Sequence, residues 1–425
     1  MKRQAQIISL RFAGVLALFA ALALSLLLLD SARADGTAAS TASVRCDANP
    51  ANDIAPPVDP DAGFVTGGGW LSVPANEPLL VWNQGFESGI SGWCHRGTLW
   101  QYGYVTRVSS GPADILPASG GYHAIFDGEL GPFRDGPISG EEPARTGPFS
   151  YNDGFRHVWT GGWTAQIDVY LDPAWPAYGG FAYSVAANGS DAWDQRDFIF
   201  NVYQNATGDS LRVSAAGSPN SDFFEIPGAG WYTLQHVFYD AGGVLAAQLN
   251  LLDQSGLLYS ATLSNPADTI PDQVGGNRYS WFVDINVPGG IAVDNHTLEV
   301  IPTAGGRLDL NFVSRYPPRG DTPRGNARFE FSADGIDFRS SEYRWLAVDT
   351  AAGSAQFSGT GTVNRAMAPT GELYFFTAWV EDGNPDRLRV KIWWENNTFG
   401  RDPTVLFDNG ALQVVSGGNI QLHGP

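Results

Sequence analysis

Alternation of apolar and polar residues, interrupted by turn signals, is the feature that most limits how this chain can fold. Segments 166–172 and 387–394 both show the two-residue period of a strand that buries one face. The residues predicted to point inward are Ile167, Val169 and Leu171 in the first segment and Leu388, Val390, Ile392 and Trp394 in the second.

A third segment has the same period, and dipeptides that contain glycine separate many of the predicted strands. In the third segment Tyr279, Trp281, Val283, Ile285 and Val287 are predicted to share one face. The turn signals include Gly242-Gly243, Gly275-Gly276, Asp334-Gly335 and Asn409-Gly410. No helix of more than three turns is predicted after residue 34. The sequence therefore predicts an all-β protein built from two β-sandwich or barrel-like modules.

The charge composition excludes several classes of protein. The 425 residues carry 44 Asp and Glu against 25 Lys and Arg, a formal net charge of −19. Such a chain would repel phosphates, so we expect no nucleic-acid partner. The 51 glycines argue against a coiled coil, and 43% hydrophobic residues argue against intrinsic disorder.

The first 34 residues are typical of an export signal. Lys2, Arg3 and Arg11 precede the 18-residue apolar run Phe12–Leu29, and Ala32-Arg33-Ala34 resembles a signal-peptidase site. Cleavage after Ala34 would leave an acidic protein outside the membrane, secreted or periplasmic. The alternative is a retained anchor, because 18 residues nearly span a bilayer.

Residues 35–62 are rich in Ala, Ser, Asp and Pro, which predicts a disordered linker. The two cysteines are Cys46 and Cys94. In an oxidising compartment they have one possible intrachain pairing, a disulfide between this linker and the following module. The alternative is two free thiols.

The C-terminal third resembles the post-COAP domain of secreted bacterial proteins, a family without an assigned catalytic activity. Its landmarks are Asn311–Tyr316, Phe329–Phe331, Ile336–Tyr343, Trp345–Val348, Gly359–Thr362, Arg389–Trp393 and Phe407–Gly410. In that family a T-G-G-G-W strand comes directly before this series, whereas here Thr66–Trp70 lies far upstream. The resemblance therefore implies that 63–75 and 304–425 form one domain and that 76–303 are inserted into it. We expect 63–75 to pair with a strand of 304–425 and the insert to project as a separate body. The alternative is two separate domains.

The ends of the insert resemble carbohydrate-binding jelly rolls of the galactose-binding type. The insert opens with Asn83–Gly89 and Gly92-Trp93, and it closes with Gly289–Glu299. The resemblance implies that Glu87 and Asp294 hold one structural calcium ion, which takes oxygen ligands. The alternative is a capped turn at each end without an ion.

Aromatic residues near the start of the insert suggest a surface for ligand binding. The candidates are Trp100, Tyr102, Tyr104, Trp159 and Trp163. Exposed aromatic rings stack on the apolar faces of sugars. The alternative is that these residues belong to the core of a sandwich.

Catalytic motifs are missing from the sequence. The strand most like that of a glycoside hydrolase has Asp168 but places Gln166, which cannot act as a nucleophile, where a second carboxylate belongs. No G-x-S-x-G motif occurs, and the six histidines lack zinc-ligand spacing. The sequence thus predicts a secreted or cell-surface, non-catalytic module that binds a glycan or another surface ligand. The alternatives are a glycan-active hydrolase with an unrecognised site and a purely structural or adhesive protein.

Overall fold

The computed structural model shows a protein made of strands. It describes residues 63–93, 103–109, 115–130, 145–188, 195–270, 274–301, 305–364, 373–395 and 403–424, apart from positions 76, 153, 155, 157, 160, 220, 319 and 334. These residues form strands and no helix, so the predicted all-β class is confirmed. Within these ranges no helix is long and apolar enough to cross a membrane.

The strands run in chain order as follows. They are β1 (Phe64–Val73), β2 (Leu79–Gln84), β3 (Gly103–Val108), β4 (His123–Leu130), β5 (Arg145–Ser150), β6 (Val158–Trp159), β7 (Trp163–Leu171), β8 (Gly180–Asn188), β9 (Gln195–Gln204), β10 (Leu211–Ala215), β11 (Phe224–Glu225), β12 (Gly230–Asp240) and β13 (Val244–Asp253). They continue with β14 (Gly256–Thr269), β15 (Val274–Gly275), β16 (Asn277–Val283), β17 (Ile291–Val300), β18 (Gly306–Arg315), β19 (Arg324–Phe331), β20 (Ile336–Asp349), β21 (Ser354–Val363), β22 (Tyr374–Glu381), β23 (Arg387–Glu395), β24 (Pro403–Asp408), β25 (Gln413–Val414) and β26 (Gly417–His423).

The first sheet joins the two ends of the described chain. Its order is β24-β23-β22-β21-β20-β19-β18-β1-β26, and β25 pairs with β23. Strand β1 lies between β18 and β26, so residues 63–75 pair with the strands with which the sequence predicts them to pair. The glycines of β1 permit this close approach: a Cβ on Gly67 would lie 2.3 Å from the Phe312 ring, and one on Gly69 would lie 2.0 Å from the Gly417 carbonyl oxygen.

The first sheet curls around an aromatic core. Phe312 of β18 contacts Phe357 of β21 with ring centroids 5.0 Å apart, although the two strands are not neighbours. At the open edge, the N–H groups of Ile420 and Leu422 in β26 donate to carboxylates of Asp386 (2.7 Å) and Asp382 (2.8 Å) in the β22–β23 turn. These carboxylates occupy donors that an edge strand would otherwise expose.

The second sheet contains the strands of the insert and folds into two layers. Its order is β11-β10-β9-β8-β16-β5-β4-β17-β7-β12-β13-β14, with β2 on β17 and β3 on β4. Strands β6 and β15 form a separate pair. Phe198 of β9 meets Phe238 of β12 (5.3 Å), and Phe126 of β4 meets Phe282 of β16 (5.3 Å). The core of this β-sandwich therefore lies between the β8-β9-β16 layer and the β4-β7-β12 layer.

Buried polar contacts attach the insert to the first sheet. Arg389 of β23 donates to the carbonyl oxygen of Val81 in β2 (3.2 Å) and to Asp408 (2.9 Å). Arg156 of the insert contacts the same Asp408 carboxylate at 3.4 Å. The insert therefore has a sheet of its own but shares these side chains with the first sheet, and its projection as a separate body stays a prediction.

The predicted alternation holds in one strand and fails in another. In β7 every second residue is buried, including Ile167, Val169 and Leu171, as predicted. In β16 the buried side chains are those of Asn277, Ser280 and Phe282, so the face predicted for Tyr279, Trp281 and Val283 is wrong. Ile285 and Val287 are buried, but the strand has ended. The two-residue period does not hold across the whole segment, because Asp284 has φ of +54°, which reverses the side on which the next residues point.

Strand β23 differs from its prediction at its end. Leu388, Val390 and Ile392 are buried as predicted, but Trp394 is only half-buried. On the opposite face Lys391 and Trp393 are buried as well. This strand is covered on both faces over part of its length, which a two-residue period does not reveal.

Candidate functional site

The predicted aromatic residues do not form one exposed row. Trp100, Tyr102, Cys46 and Cys94 lie outside the described residues, so the aromatic row and the disulfide stay predictions. Tyr104 is half-buried in β3, in register with Asp127 of β4.

Trp163 is a core residue and not a ligand-binding one, which corrects the prediction. It has no exposed surface, and its ring stacks on Phe238 at 3.9 Å with an angle of 11°. Its indole N–H donates to the Gly275 carbonyl oxygen (2.9 Å). Trp159 is half-buried, with its N–H bound to Asn277 (2.9 Å) and the Arg156 guanidinium over its ring at 4.7 Å.

Glu87 and Asp294, the predicted calcium ligands, meet the same loop. The N–H groups of Gly121 and Tyr122 donate to the Glu87 carboxylate at 3.0 and 3.1 Å. The N–H of Ser119 donates to Asp294 at 3.1 Å. Residues 119–122 therefore connect the start of the insert to its last strand.

The surroundings of Asp294 disfavour the charged form of its carboxylate. Its side chain is fully buried, and burial raises the pKa of Asp294 to about 6. Hydrogen bonds from the Ser119 and Asn295 N–H groups lower this pKa, while the negative charge of Asp168 raises it. A cation beside Asp294 would relieve this repulsion.

The side chains alone supply few ligands for a metal ion. Among the described residues no group of three or more His, Cys, Asp or Glu side chains could hold one. Calcium also accepts carbonyl oxygens, so two carboxylates that reach one loop fit part of its usual donor set. The N–H donors already satisfy both carboxylates, as in capped turns.

Asp168 lies beside Asp294 on neighbouring strands, but the two do not form an accessible catalytic pair. The residues face each other in the β7–β17 register. Asp168 accepts hydrogen bonds from Thr233 Oγ1 (2.5 Å) and Asn295 Nδ2 (2.9 Å). Because Asp294 is fully buried, it lacks the access to substrate that a glycosidase carboxyl needs.

The outward face of β7 and β12 carries aromatic and polar side chains in register. The rows are Tyr170 with Trp231, Asp168 with Thr233, and Gln166 with Gln235. We call these six residues the outer-face patch. All six are half-buried, whereas the residues between them point into the sandwich core.

The aromatic row of the outer-face patch is held at one end by a loop. The rings of Trp231 and Tyr170 meet edge to face with centroids 5.7 Å apart. Trp231 also contacts His123 at 5.8 Å, and its indole N–H donates to the Leu116 carbonyl oxygen (3.0 Å). These contacts fix the orientation of the indole ring.

The polar rows of the patch are linked by hydrogen bonds. Asn250 of β13 donates to Gln235 (3.0 Å), which donates to Gln166 (2.9 Å). The amides and the Asp168 carboxylate are thus oriented before any ligand arrives, which lowers the entropic cost of binding.

Sequence reasoning identified Asp168 and Gln166 only as a failed catalytic motif and missed the remaining residues of the patch. The alternation of Trp231, Thr233 and Gln235 with Tyr232, Leu234 and His236 was a detectable signal. What the sequence could not supply was the register that places β12 beside β7.

Comparison with known proteins gives weak structural similarity only. No protein-family model and no curated protein matches the chain. Among solved structures, the CBM2 module of the evolved Dit protein of Lactobacillus casei BL23 phage J-1 is 13% identical, with a TM-score of 0.34, and the match covers 54% of this chain and 99% of that one. A protein of unknown function from Shewanella oneidensis MR-1 is 8% identical, with a TM-score of 0.25 and coverage of 58% and 91%. Lectin I from Ulex europaeus, in complex with the methyl glycoside of α-L-fucose, is 9% identical, with a TM-score of 0.26 and coverage of 54% and 98%. We assign nothing to this chain from similarities of this size.

Proposed function

We propose that this chain is an exported, non-catalytic protein that binds a glycan on the outer-face patch. The observation that supports this most directly is the row of Trp231 and Tyr170 beside oriented carboxylate and amide groups. Aromatic faces bind the C–H surfaces of sugar rings, while carboxylates and amides bind hydroxyl groups.

The charges around the patch favour an uncharged glycan. Strands β7, β12, β13, β14 and β17 contain no Lys or Arg. Asp168, at the centre of the patch, would repel a sulfate or a uronate. The ligand class that fits this face is therefore a neutral polysaccharide.

Replacing Trp231 with alanine should weaken binding of a neutral polysaccharide at least about tenfold, which corresponds to about 1.4 kcal/mol. The binding constants would be measured by isothermal titration calorimetry with a polysaccharide selected from a glycan array. Trp379→Ala, which removes a half-buried tryptophan from the first sheet, is the matched control and should bind normally.

Equal loss of affinity in both variants, or no binding of any neutral glycan by the unmodified protein, would contradict the proposal. We also expect no release of reducing sugar from the bound polysaccharide. Turnover that Asp168→Asn abolishes would favour the hydrolase alternative.

The same proposal includes a calcium ion held by Glu87 and Asp294, and membership of the first sheet in the post-COAP family. The convergence of both carboxylates on residues 119–122 supports the ion. Bound there, calcium would supply positive charge beside the buried Asp294, and its role would be stability.

Removing calcium with EDTA is expected to lower the melting temperature of the protein. At about 100 times the dissociation constant, calcium would contribute about 2.7 kcal/mol to the free energy of unfolding. Differential scanning calorimetry would compare millimolar calcium with EDTA. The double variant Glu87→Ala/Asp294→Ala should lose the difference, and identical melting of the unmodified protein in both buffers would argue against the ion.

A further inference from the structure

Four residues form a row across the outward face of the first sheet, far along the sequence from the outer-face patch. Phe64 of β1 is in register with His423 of β26 and with Arg315 of β18. Arg315 is in register with Arg324 of β19. Residues directly opposite on antiparallel strands share a face, so His423, Phe64, Arg315 and Arg324 lie side by side. We call them the arginine row.

The two arginines lack the partners that other arginines on this face have. Arg307 contacts Asp309 at 2.6 Å, while Arg328 and Arg339 contact Asp337 at 2.8 and 2.9 Å. Among the described residues no carboxylate pairs with Arg315 or Arg324, and both side chains are exposed.

This arrangement works against stability in the free protein. Like charges directly opposite each other on neighbouring strands repel. The chain has an excess of carboxylates, with 44 Asp and Glu against 25 Lys and Arg, yet none is placed between these two guanidinium groups. A local conflict of this kind is expected where a sequence serves binding.

The other half of the row is a stacked pair of aromatic rings, Phe64 and His423. The Phe64 and His423 rings stack with centroids 4.1 Å apart and an angle of 9°. The His423 ring is held by a 3.2 Å contact between its Nε2 and Thr66 Oγ1. Because the two rings stack on each other, His423 covers one face of Phe64 and fixes its orientation, and this partly apolar pair lies next to the two arginines.

We infer that the arginine row binds an acidic glycan, with a sulfate or carboxylate group between Arg315 and Arg324 and a sugar ring against Phe64. Guanidinium forks bind oxyanions in bidentate fashion, and aromatic rings bind the C–H faces of sugars. This site goes beyond the proposed neutral-glycan site, because it lies on the other sheet and selects an anionic glycan rather than an uncharged one.

The test compares polymers that differ in charge. Purified protein would be titrated by biolayer interferometry with dextran sulfate, alginate, unsulfated dextran and duplex DNA. We expect dextran sulfate or alginate to bind at least tenfold more tightly than dextran and DNA, with affinity falling as salt rises. The variant Arg315→Ala/Arg324→Ala should lose at least tenfold in affinity for the acidic polymer.

The control variant Arg307→Ala/Arg387→Ala removes the same number of positive charges from exposed arginines elsewhere. It should keep the affinity of the unmodified protein for the acidic polymer. The melting temperature of Arg315→Ala/Arg324→Ala should not fall, because a repulsive pair is removed. The inference would be overturned if both double variants lost affinity equally, or if no acidic polymer bound more tightly than dextran. It would also be overturned if DNA bound as tightly as the acidic glycans.

Discussion

Replacing Asp408 with alanine is expected to lower the free energy of unfolding by about 3–5 kcal/mol, because it leaves buried positive charges without their counter-ion. The Asp408 side chain has no exposed surface and contacts Arg389 at 2.9 Å and Arg156 at 3.4 Å. Lys391, in register with Asp408, is also buried. The loss would be measured by urea unfolding monitored by tryptophan fluorescence.

The ionic state of Asp408 supports this size of effect. Burial alone would raise the pKa of Asp408, but Arg389, Arg156 and Lys391 together hold it below its usual value. Asp408 is therefore charged in the folded protein, and its charge balances groups from both sheets. With alanine at position 408, the positive charges where the insert meets the first sheet would lose the carboxylate that balances them.

An exposed ion pair provides the control for Asp408. Asp309 contacts Arg307 at 2.6 Å, but both side chains are about half exposed, at 44% and 55%. Asp309→Ala should therefore cost less than about 1 kcal/mol. If Asp408→Ala cost no more than Asp309→Ala, the buried cluster would not be what attaches the insert to the first sheet.

The fold class could be predicted from the sequence because alternation is a local signal. The burial pattern of β7 follows from the order of its own residues. The pattern of β16 could not be followed past Asp284, because one residue with positive φ reverses the alternation without leaving a mark in hydrophobicity.

The candidate sites depended on register, which the sequence shows only in part. Arg315 and Arg324 belong to consecutive strands of one hairpin, so their proximity had a local signal. Phe64 joins them only because β1 pairs with a strand of the distant C-terminal segment. The same holds for Trp231 and Tyr170, which become neighbours because β12 pairs with β7 although four strands, β8 to β11, lie between them in the sequence.

The second large expected effect concerns Trp163, for which the sequence left a core role and a ligand-binding role open. Trp163→Ala should lower the free energy of unfolding by about 3–5 kcal/mol, the usual cost of removing a large buried aromatic side chain. The ring is fully buried against Phe238, and the Gly275 carbonyl oxygen would lose its donor.

Three variants separate the core role of Trp163 from a binding role. Trp163→Phe keeps most of the buried ring and loses the hydrogen bond, so it should cost less than Trp163→Ala. Trp231→Ala removes a half-buried ring from the outward face. It should weaken glycan binding and leave the melting temperature nearly unchanged. If Trp163→Ala instead melted normally and failed to bind glycan, Trp163 would belong to the binding surface, and the sandwich core would have to close without it.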